Sequence, residues 1–334
     1  MPKARVTIRD VAAQAGVSHQ TVSRVINDSE RVSPETRARV EAAIQALNYQ
    51  PNAIAQSMAK GRTGMLACIA PNLTDYTFAS LIDGAERAVR QQGYFLLSAS
   101  APDAATFAAL VAELVPRRRA EGLLVINPYA DGRYRHLPPN FPLVFAGARP
   151  RQNAANSVSL DDVAAGRRAT EHLLGLGHRR IALITGPMAE DCSQDRLAGY
   201  EAALQAAGLA IDPGLVVEGT WQARSGYDAF MQLAQAGPLP DAIFAQNDQM
   251  AVGVLRAAAD HGVNVPQALS VIGVDDVPMA AYFEPPLTTL RQDFARIGHE
   301  AARLLMNVIE QPGVPRQDMR IPAELIVRRS TGAV

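Results

Sequence analysis

The chain has 334 residues, 48% of them apolar and 19% charged, which is the balance of ordinary folded domains and not of a disordered chain. That length predicts two or three folding units with ample core, and the two cysteines, Cys68 and Cys192, exclude a disulfide framework and a four-ligand zinc site. No apolar run approaches the roughly 18 residues of a membrane span, and MPKARVTIRDVA lacks a signal-peptide core; a soluble cytoplasmic protein with no membrane partner is expected. The net charge of −1 is unevenly divided. Residues 1–62 hold nine basic and five acidic side chains, a balance of +4 that leaves −5 for the remainder. Both lysines, Lys3 and Lys60, lie in this head. A basic head on an acidic body points to a polyanionic partner.

In chain order, Thr7 and Asp10 form a capping-box pattern, followed by Ile8, Val11, Ala12 and Ala15 at helical spacing. Gly16 supplies a turn and Ser18 a second N-cap. Val22, Val25 and Ile26 give the second helix an apolar face, while Gln20, Ser23, Arg24 and Asn27 share the opposite one. Ser33 with Pro34 starts a third helix carrying Val40, Ile44 and Leu47, and Asn48 closes it. Two short helices about a glycine turn, with a third in support, are the helix-turn-helix pattern. Arg24 has the donor fork for guanine, and Gln20 the paired donor and acceptor for adenine. The alternative is a solvated polar face.

The run VTIRDVAAQAGVSHQTVSRVINDSERVSPETRARVEAAIQALNYQPNAIAQSMA resembles the DNA-binding head of the LacI/GalR family of bacterial repressors, and HQTVSRVIN is similar to the recognition helix of its lactose branch. The resemblance implies DNA contacts at Thr7, Ser18, His19, Gln20, Thr21, Ser23, Arg24 and Asn27. His19 stands where the lactose branch has tyrosine, which puts an identical operator in doubt. After Pro51, the segment from Asn52 through Ala55 and Met58 to Lys60 is Ala-rich but, at about nine residues, too short to be stably helical alone. The resemblance makes it a hinge helix for the minor groove, with Asn52, Ala55 and Met58 in contact. Met58 replaces the usual leucine wedge.

From Gly64 onward, the apolar runs MLACIAP, YFLLSAS, GLLVI and PLVFAG read as buried strands, with helices at 78–92 and 103–119. RIALITG, LVVEG, AIFAQ and SVIGV repeat the alternation, and TTLRQDF with a helix to about Ile309 returns the chain to the first lobe. The expected class is α/β: parallel sheets with crossover helices in two lobes enclosing a cleft. The resemblance likens this body to a periplasmic sugar-binding protein. The expected organisation is a head at 1–50, a hinge at 51–62 and a body at 63–334. One lobe comprises 63–161 plus 291–320, and the other 162–290 plus 321–331.

No P-loop, GxSxG or histidine pair appears, and Gly175-Leu176-Gly177 lacks the third glycine of a dinucleotide loop and precedes a strand. No catalytic residue, metal or cofactor is expected. Asp161-Asp162 reads as a helix start, Arg117-Arg118-Arg119 as a solvated helix end, and His178 as structural or superficial. A sugar site needs planar polar groups for adjacent hydroxyls and an aromatic face for the ring. At the family's sugar-contacting positions stand Arg196, Trp221, Asn247, Asp275, Gln292 and Phe294, with Asn72 and Phe78 on the first lobe. Cys192 replaces a serine of the lactose branch, and Gly147 replaces a common aspartate. Taken singly, Trp221 also fits a packing role, Asp275 a turn cap and Asn247 a helix start.

The expectation is a repressor released from a near-palindromic double-stranded DNA operator by a small-molecule effector, a sugar. Within the family the alternative is a corepressor-dependent member. Outside it, a solute-binding module and a sugar-modifying enzyme are the competing classes. A homodimer is expected, and not a tetramer, since the chain ends soon after its last strand-like run with no room for a leucine-heptad helix.

Overall fold

The computed structural model describes residues 6–27, 31–50, 62–129, 131–149 and 156–334. They fall into two compact units, Met1–Gly64 and Met65–Val334. In the first unit, helices α1 (Ile8–Ala15), α2 (His19–Ile26) and α3 (Pro34–Ala46) each start at a hydroxyl residue, Thr7, Ser18 and Ser33. The Asp10 carboxylate accepts from the Thr7 N–H at 2.8 Å and from its hydroxyl at 2.7 Å. Gly16, at φ +65°, ends α1 in a left-handed turn that a side chain would strain. Val11, Ala12, Ala15, Val22, Val25, Val40 and Ala43 form the core of this unit. These are small apolar residues because short helices that cross closely leave little volume between them.

The second unit holds two six-stranded sheets. The first contains β1 (Met65–Ala70), β2 (Phe95–Ser100), β3 (Leu123–Val125), β4 (Leu143–Ala146) and β5 (Asn156–Leu160), joined late by β11 (Asp318–Ile321). The second contains β6 (Ile181–Thr185), β7 (Val216–Glu218), β8 (Ala242–Ala245), β9 (Ser270–Asp275), β10 (Thr288–Arg291) and β12 (Glu324–Ile326). Their strand orders are equivalent, β2-β1-β3-β4-β5-β11 and β7-β6-β8-β9-β10-β12. All pairings are parallel except β12 against β10. The chain passes between the lobes three times, after β5, β10 and β11.

Helices cover both faces, so the inner strands are apolar throughout. In the first lobe these are α4 (Tyr76–Gln91), α5 (Ala104–Leu114) and the returning α10 (Phe294–Glu310). In the second they are α6 (Asp162–Gly175), α7 (Asp191–Ala206), α8 (Ala223–Ala236) and α9 (Asp248–Asp260). Three helix pairs, α4–α10, α6–α7 and α8–α9, pack through reciprocal glycines. For α8–α9, a Cβ on Gly226 would lie 2.0 Å from the Met250 carbonyl oxygen, and one on Gly253 1.9 Å from that of Ala223. Glycine is therefore required on both sides of that contact.

Two expectations need correction, and two strands escaped the sequence reading. YFLLSAS is a strand but not a buried one: β2 is a sheet edge, with Phe95 68% exposed. The helix predicted to reach 119 stops at Leu114, and Arg118 sits in a turn at φ +50°. Strands β5 and β11 had no counterpart in the sequence reading, for the reason that they are short and largely polar.

Candidate DNA-reading face and ligand cleft

On the first unit, burying Val22 and Val25 turns His19, Gln20 and Arg24 to the exposed side of α2. Thr7 and Ser18 are exposed as well, and Thr21, Ser23 and Asn27 are half-buried. Two of these side chains serve the helix itself. The Thr21 hydroxyl is 3.0 Å from Ser18 Oγ. Asn27 Nδ2 donates to the Ser23 carbonyl at 2.8 Å, closing the helix, while its Oδ1 is buried without a partner. Asn52, Ala55 and Met58 lie outside the described residues.

In the second unit, a cavity of about 540 Å³ lies between the lobes, at the carboxyl ends of the strands. The structure places all nine residues singled out for the effector around it. Asn72 and Phe78 come from the first lobe, Cys192, Arg196, Trp221, Asn247 and Asp275 from the second, and Gln292 and Phe294 from the return crossing. Gly147 lines it too, at φ +67°, and a Cβ there would press to 2.9 Å from Leu81 Cδ1. Reasoning from sequence missed Asp75, Tyr129, Asp162 and Glu190 on the same walls. At Tyr129 and Glu190 the lobes touch through a two-residue bridge, and the Asp191 N–H donates to the Pro128 carbonyl at 3.0 Å.

Arg196 is 5% exposed and centres the second-lobe wall. Its Nε donates to Asp162 Oδ1 at 2.7 Å and its Nη1 to the Gln246 carbonyl. Burial is the largest influence and opposes its charge, but Asp162, Cys192 and Asp275 together outweigh it and hold its pKa above the ordinary arginine range. Asp162 is the converse case: burial pushes its carboxyl up and Arg196 draws it back. Breaking a buried pair of this kind costs about 3–5 kcal/mol, because the remaining charge is stranded.

The Trp221 indole lies on Gly186, where a Cβ would come within 2.0 Å of its ring. Its Nε1 donates to Glu190 Oε2 at 3.1 Å, and the Arg196 guanidinium carbon is 5.9 Å from its ring centroid. Trp221 adopts φ +68°, and its carbonyl accepts from Asn247 Nδ2 at 3.0 Å. Asn247 Oδ1 accepts from the Met250 N–H at 2.8 Å, so this residue caps α9 while lining the cavity. Asn72 has a similar double duty, its Oδ1 accepting from the Asp75 N–H at 2.7 Å to shape the turn before α4.

Asp275, 7% exposed at the end of β9, has φ +121°, a strained conformation of the kind that accumulates at functional sites. Gln292 Nε2 donates to its Oδ1 at 2.9 Å. Burial, reinforced by nearby Asp248, raises its carboxyl well above the usual range. Burial likewise raises the Glu190 carboxyl and the Cys192 thiol. Among the described residues, no three His, Cys, Asp or Glu side chains are grouped to hold a metal, and no helix is long and apolar enough to cross a membrane. His178 is structural: its Nε2 lies 3.0 Å from the Gly332 carbonyl oxygen.

Comparison with known proteins gives both units counterparts. Residues 7–52 match "Bacterial regulatory proteins, lacI family", and residues 170–331 match "Periplasmic binding protein-like domain". The ribose operon repressor of Escherichia coli (strain K12) is 35% identical over 327 residues, 97% of this chain and 99% of the relative. The HTH-type transcriptional repressor PurR of Haemophilus influenzae (strain PittEE) is 34% identical over 336 residues, 98% and 99% of the two chains. Among solved structures, the lac repressor dimer bound to operator and the anti-inducer ONPF superposes with a TM-score of 0.90 at 32% identity, covering 98% of this chain and 100% of that one. A LacI family transcriptional regulator from Enterococcus faecium with bound ribose gives a TM-score of 0.71 at 25% identity, covering 81% and 99%. Similarity of this extent, along nearly the whole chain, makes this protein a member of the LacI family of bacterial regulatory proteins.

Proposed function

We propose that this chain is a cytoplasmic, sugar-responsive transcriptional repressor and not an enzyme. It binds a near-palindromic operator as a homodimer, and a sugar in the cleft releases it. The observation that carries this reading is the convergence of Arg196, Trp221, Asn247, Asp275 and Gln292 on one cavity. That set offers planar polar groups beside an aromatic face. The exposed Gln20 and Arg24 on α2 supply base-reading chemistry. In support, relatives include a ribose operon repressor, a ribose-bound regulator and a lac repressor bound to operator as a dimer.

Residues 1–50 are the DNA-reading unit, 51–62 the hinge, and 63–334 the effector and pairing body. Its lobes are 63–161 plus 291–320 and 162–290 plus 321–331, a division supported by sheet membership. Thr7, Ser18, His19, Gln20, Thr21, Ser23 and Arg24 face the duplex, with Asn27 fixing the end of α2. Asn52, Ala55 and Met58 enter the minor groove. The pairing surface is the exposed apolar set Leu73, Phe95 and Leu97 on the first lobe and Met279 and Tyr282 on the second.

A thermal-shift screen of the full chain against neutral sugars and purines tests the effector class. A ligand at a hundred times its Kd adds about 2.7 kcal/mol of stability. Stabilisation by a sugar that also lowers affinity for a selected duplex supports the reading. Stabilisation by a purine that raises duplex affinity would replace it with corepression.

A further inference from the structure

The ionisable groups around the cleft are markedly unbalanced. Among the described residues, Asp75, Asp162, Glu190 and Asp275 line it, against the single cation Arg196. That cation is already engaged, its Nε by Asp162 at 2.7 Å and its Nη1 by the Gln246 carbonyl. The two acids deepest in the wall keep acceptor capacity. Among the described residues, Glu190, 9% exposed, gives Oε2 to the Trp221 indole at 3.1 Å, and its Oε1 has no hydrogen bond. Asp275, 7% exposed, gives Oδ1 to Gln292 at 2.9 Å, and its Oδ2 has none among the described residues. An ionised carboxylate accepts and cannot donate, so these oxygens call for ligand hydroxyls or ammonium groups.

We infer that the cleft selects a polyhydroxyl ligand bearing no anionic group, rejecting phosphorylated and carboxylated derivatives, and that Glu190 is the residue setting this selection. The inference rests on reading the cleft as the effector site. A phosphate or carboxylate in this volume would face Glu190 and Asp275, only 9% and 7% exposed, where like charges repel more than in bulk water. It would also find only the remaining guanidinium edge of Arg196, whose charge Asp162 already neutralises. Burial already raises the Glu190 and Asp275 carboxyls, and a bound anion would raise them further, so an anionic ligand binds either against their charge or with uptake of a proton, whereas a hydroxyl donor favours the ionised form. Glu190 is placed to decide because its indole partner can be kept by an amide oxygen, which leaves only the charge to be removed.

Isothermal titration of the full chain at pH 8 with ribose against ribose 5-phosphate, and glucose against glucose 6-phosphate and gluconate, tests this. The expected result is that a neutral sugar binds and its anionic derivative binds at least a hundredfold more weakly. In Glu190→Gln that gap narrows by tenfold or more. An anionic derivative bound as tightly as its neutral parent overturns the selection while leaving the sugar reading intact. A gap unchanged in Glu190→Gln overturns the role of that residue. No binding by any member, neutral or anionic, overturns the sugar reading and this inference together.

Discussion

Arg149, just after β4 in the first lobe, and Asp195, on α7 in the second, form a forked ion pair between the lobes. Arg149 Nε donates to Asp195 Oδ2 at 2.9 Å and its Nη2 to Oδ1, with Asp191 Oδ1 3.9 Å from Nη1. Asp195 first among these neighbours raises the Arg149 pKa. The pair exists only while the lobes hold this arrangement, so it biases the element through which a ligand acts. Since the Arg149 side chain is 38% exposed, solvent screens it, and its worth is about 1 kcal/mol. A double-mutant cycle of Arg149→Ala and Asp195→Ala in urea should show coupling of about 1 kcal/mol at low salt, fading toward zero near 1 M. Absence of coupling at low salt would show that the lobes do not use this contact.

Asp248 gives a pH dependence of definite sign. It is fully buried and accepts from the Thr289 hydroxyl at 2.6 Å and the Val277 N–H at 2.9 Å. Burial, aided by Asp276 and opposed by those bonds, pushes its carboxyl up to about 7. A carboxyl whose pKa is raised on folding binds protons more tightly in the native state. Its contribution is therefore favourable at acid pH and lost as pH rises from about 4 to about 7. The total is on the order of 2–4 kcal/mol. Asp248→Asn should thus gain stability relative to the parent chain across that window. A difference constant from pH 4 to 8 would contradict the assignment.

Two glycine substitutions should differ in sign. Gly226→Ala drives a methyl to within 2.0 Å of the Met250 carbonyl oxygen, forcing α8 and α9 apart. A loss of about 2–4 kcal/mol is expected, as for overpacking against rigid backbone. At Gly175, the last residue of α6, a Cβ meets nothing within 4 Å. Gly175→Ala should stabilise by up to about 1 kcal/mol. Thermal or urea unfolding checks both, and equal effects would refute the packing argument.

Arg24 is exposed on α2, opposite the buried Val22 and Val25. If it reads guanine, Arg24→Ala costs about 1–3 kcal/mol on the operator and relaxes selection at one base pair. Binding measured against all four pairs at each position reveals which. An equal loss on operator and random duplex would make Arg24 a phosphate contact.

How much of this was legible beforehand follows physical lines. The inner strands announce themselves because parallel strands buried on both faces are continuous apolar runs, as in MLACIA and AIFA. β5 does not, since the side chains of its Asn156 and Ser157 find partners 161 positions away, at β11 and the residue before it: Asn156 Oδ1 accepts from the Gln317 N–H at 2.9 Å, and Ser157 Oγ donates to Asp318 at 2.6 Å. Nor does apolar content reveal that β2 is an edge, because that depends on which strands pair. The cleft residues carried by the family resemblance all reached one cavity. Asp161-Asp162 is the helix start it reads as, opening α6, but the second role of Asp162 was hidden because its partner Arg196 is 34 positions on. Glu190 gave no signal, its role arising from a fold that sets it beside Trp221, 31 positions away.

The central claim is that occupancy of the cleft controls DNA affinity. The most direct test is anisotropy of a duplex, selected by the protein from a random pool, titrated with the full chain with and without the sugar found by thermal shift. The same titration is run on Asp275→Ala. The account predicts that the saturating sugar weakens duplex binding tenfold or more in the parent chain. Asp275→Ala should bind the duplex normally and respond little, and the duplex should weaken sugar binding by the same factor, as linkage requires. A sugar that binds the parent chain yet leaves its duplex affinity unchanged would contradict the account.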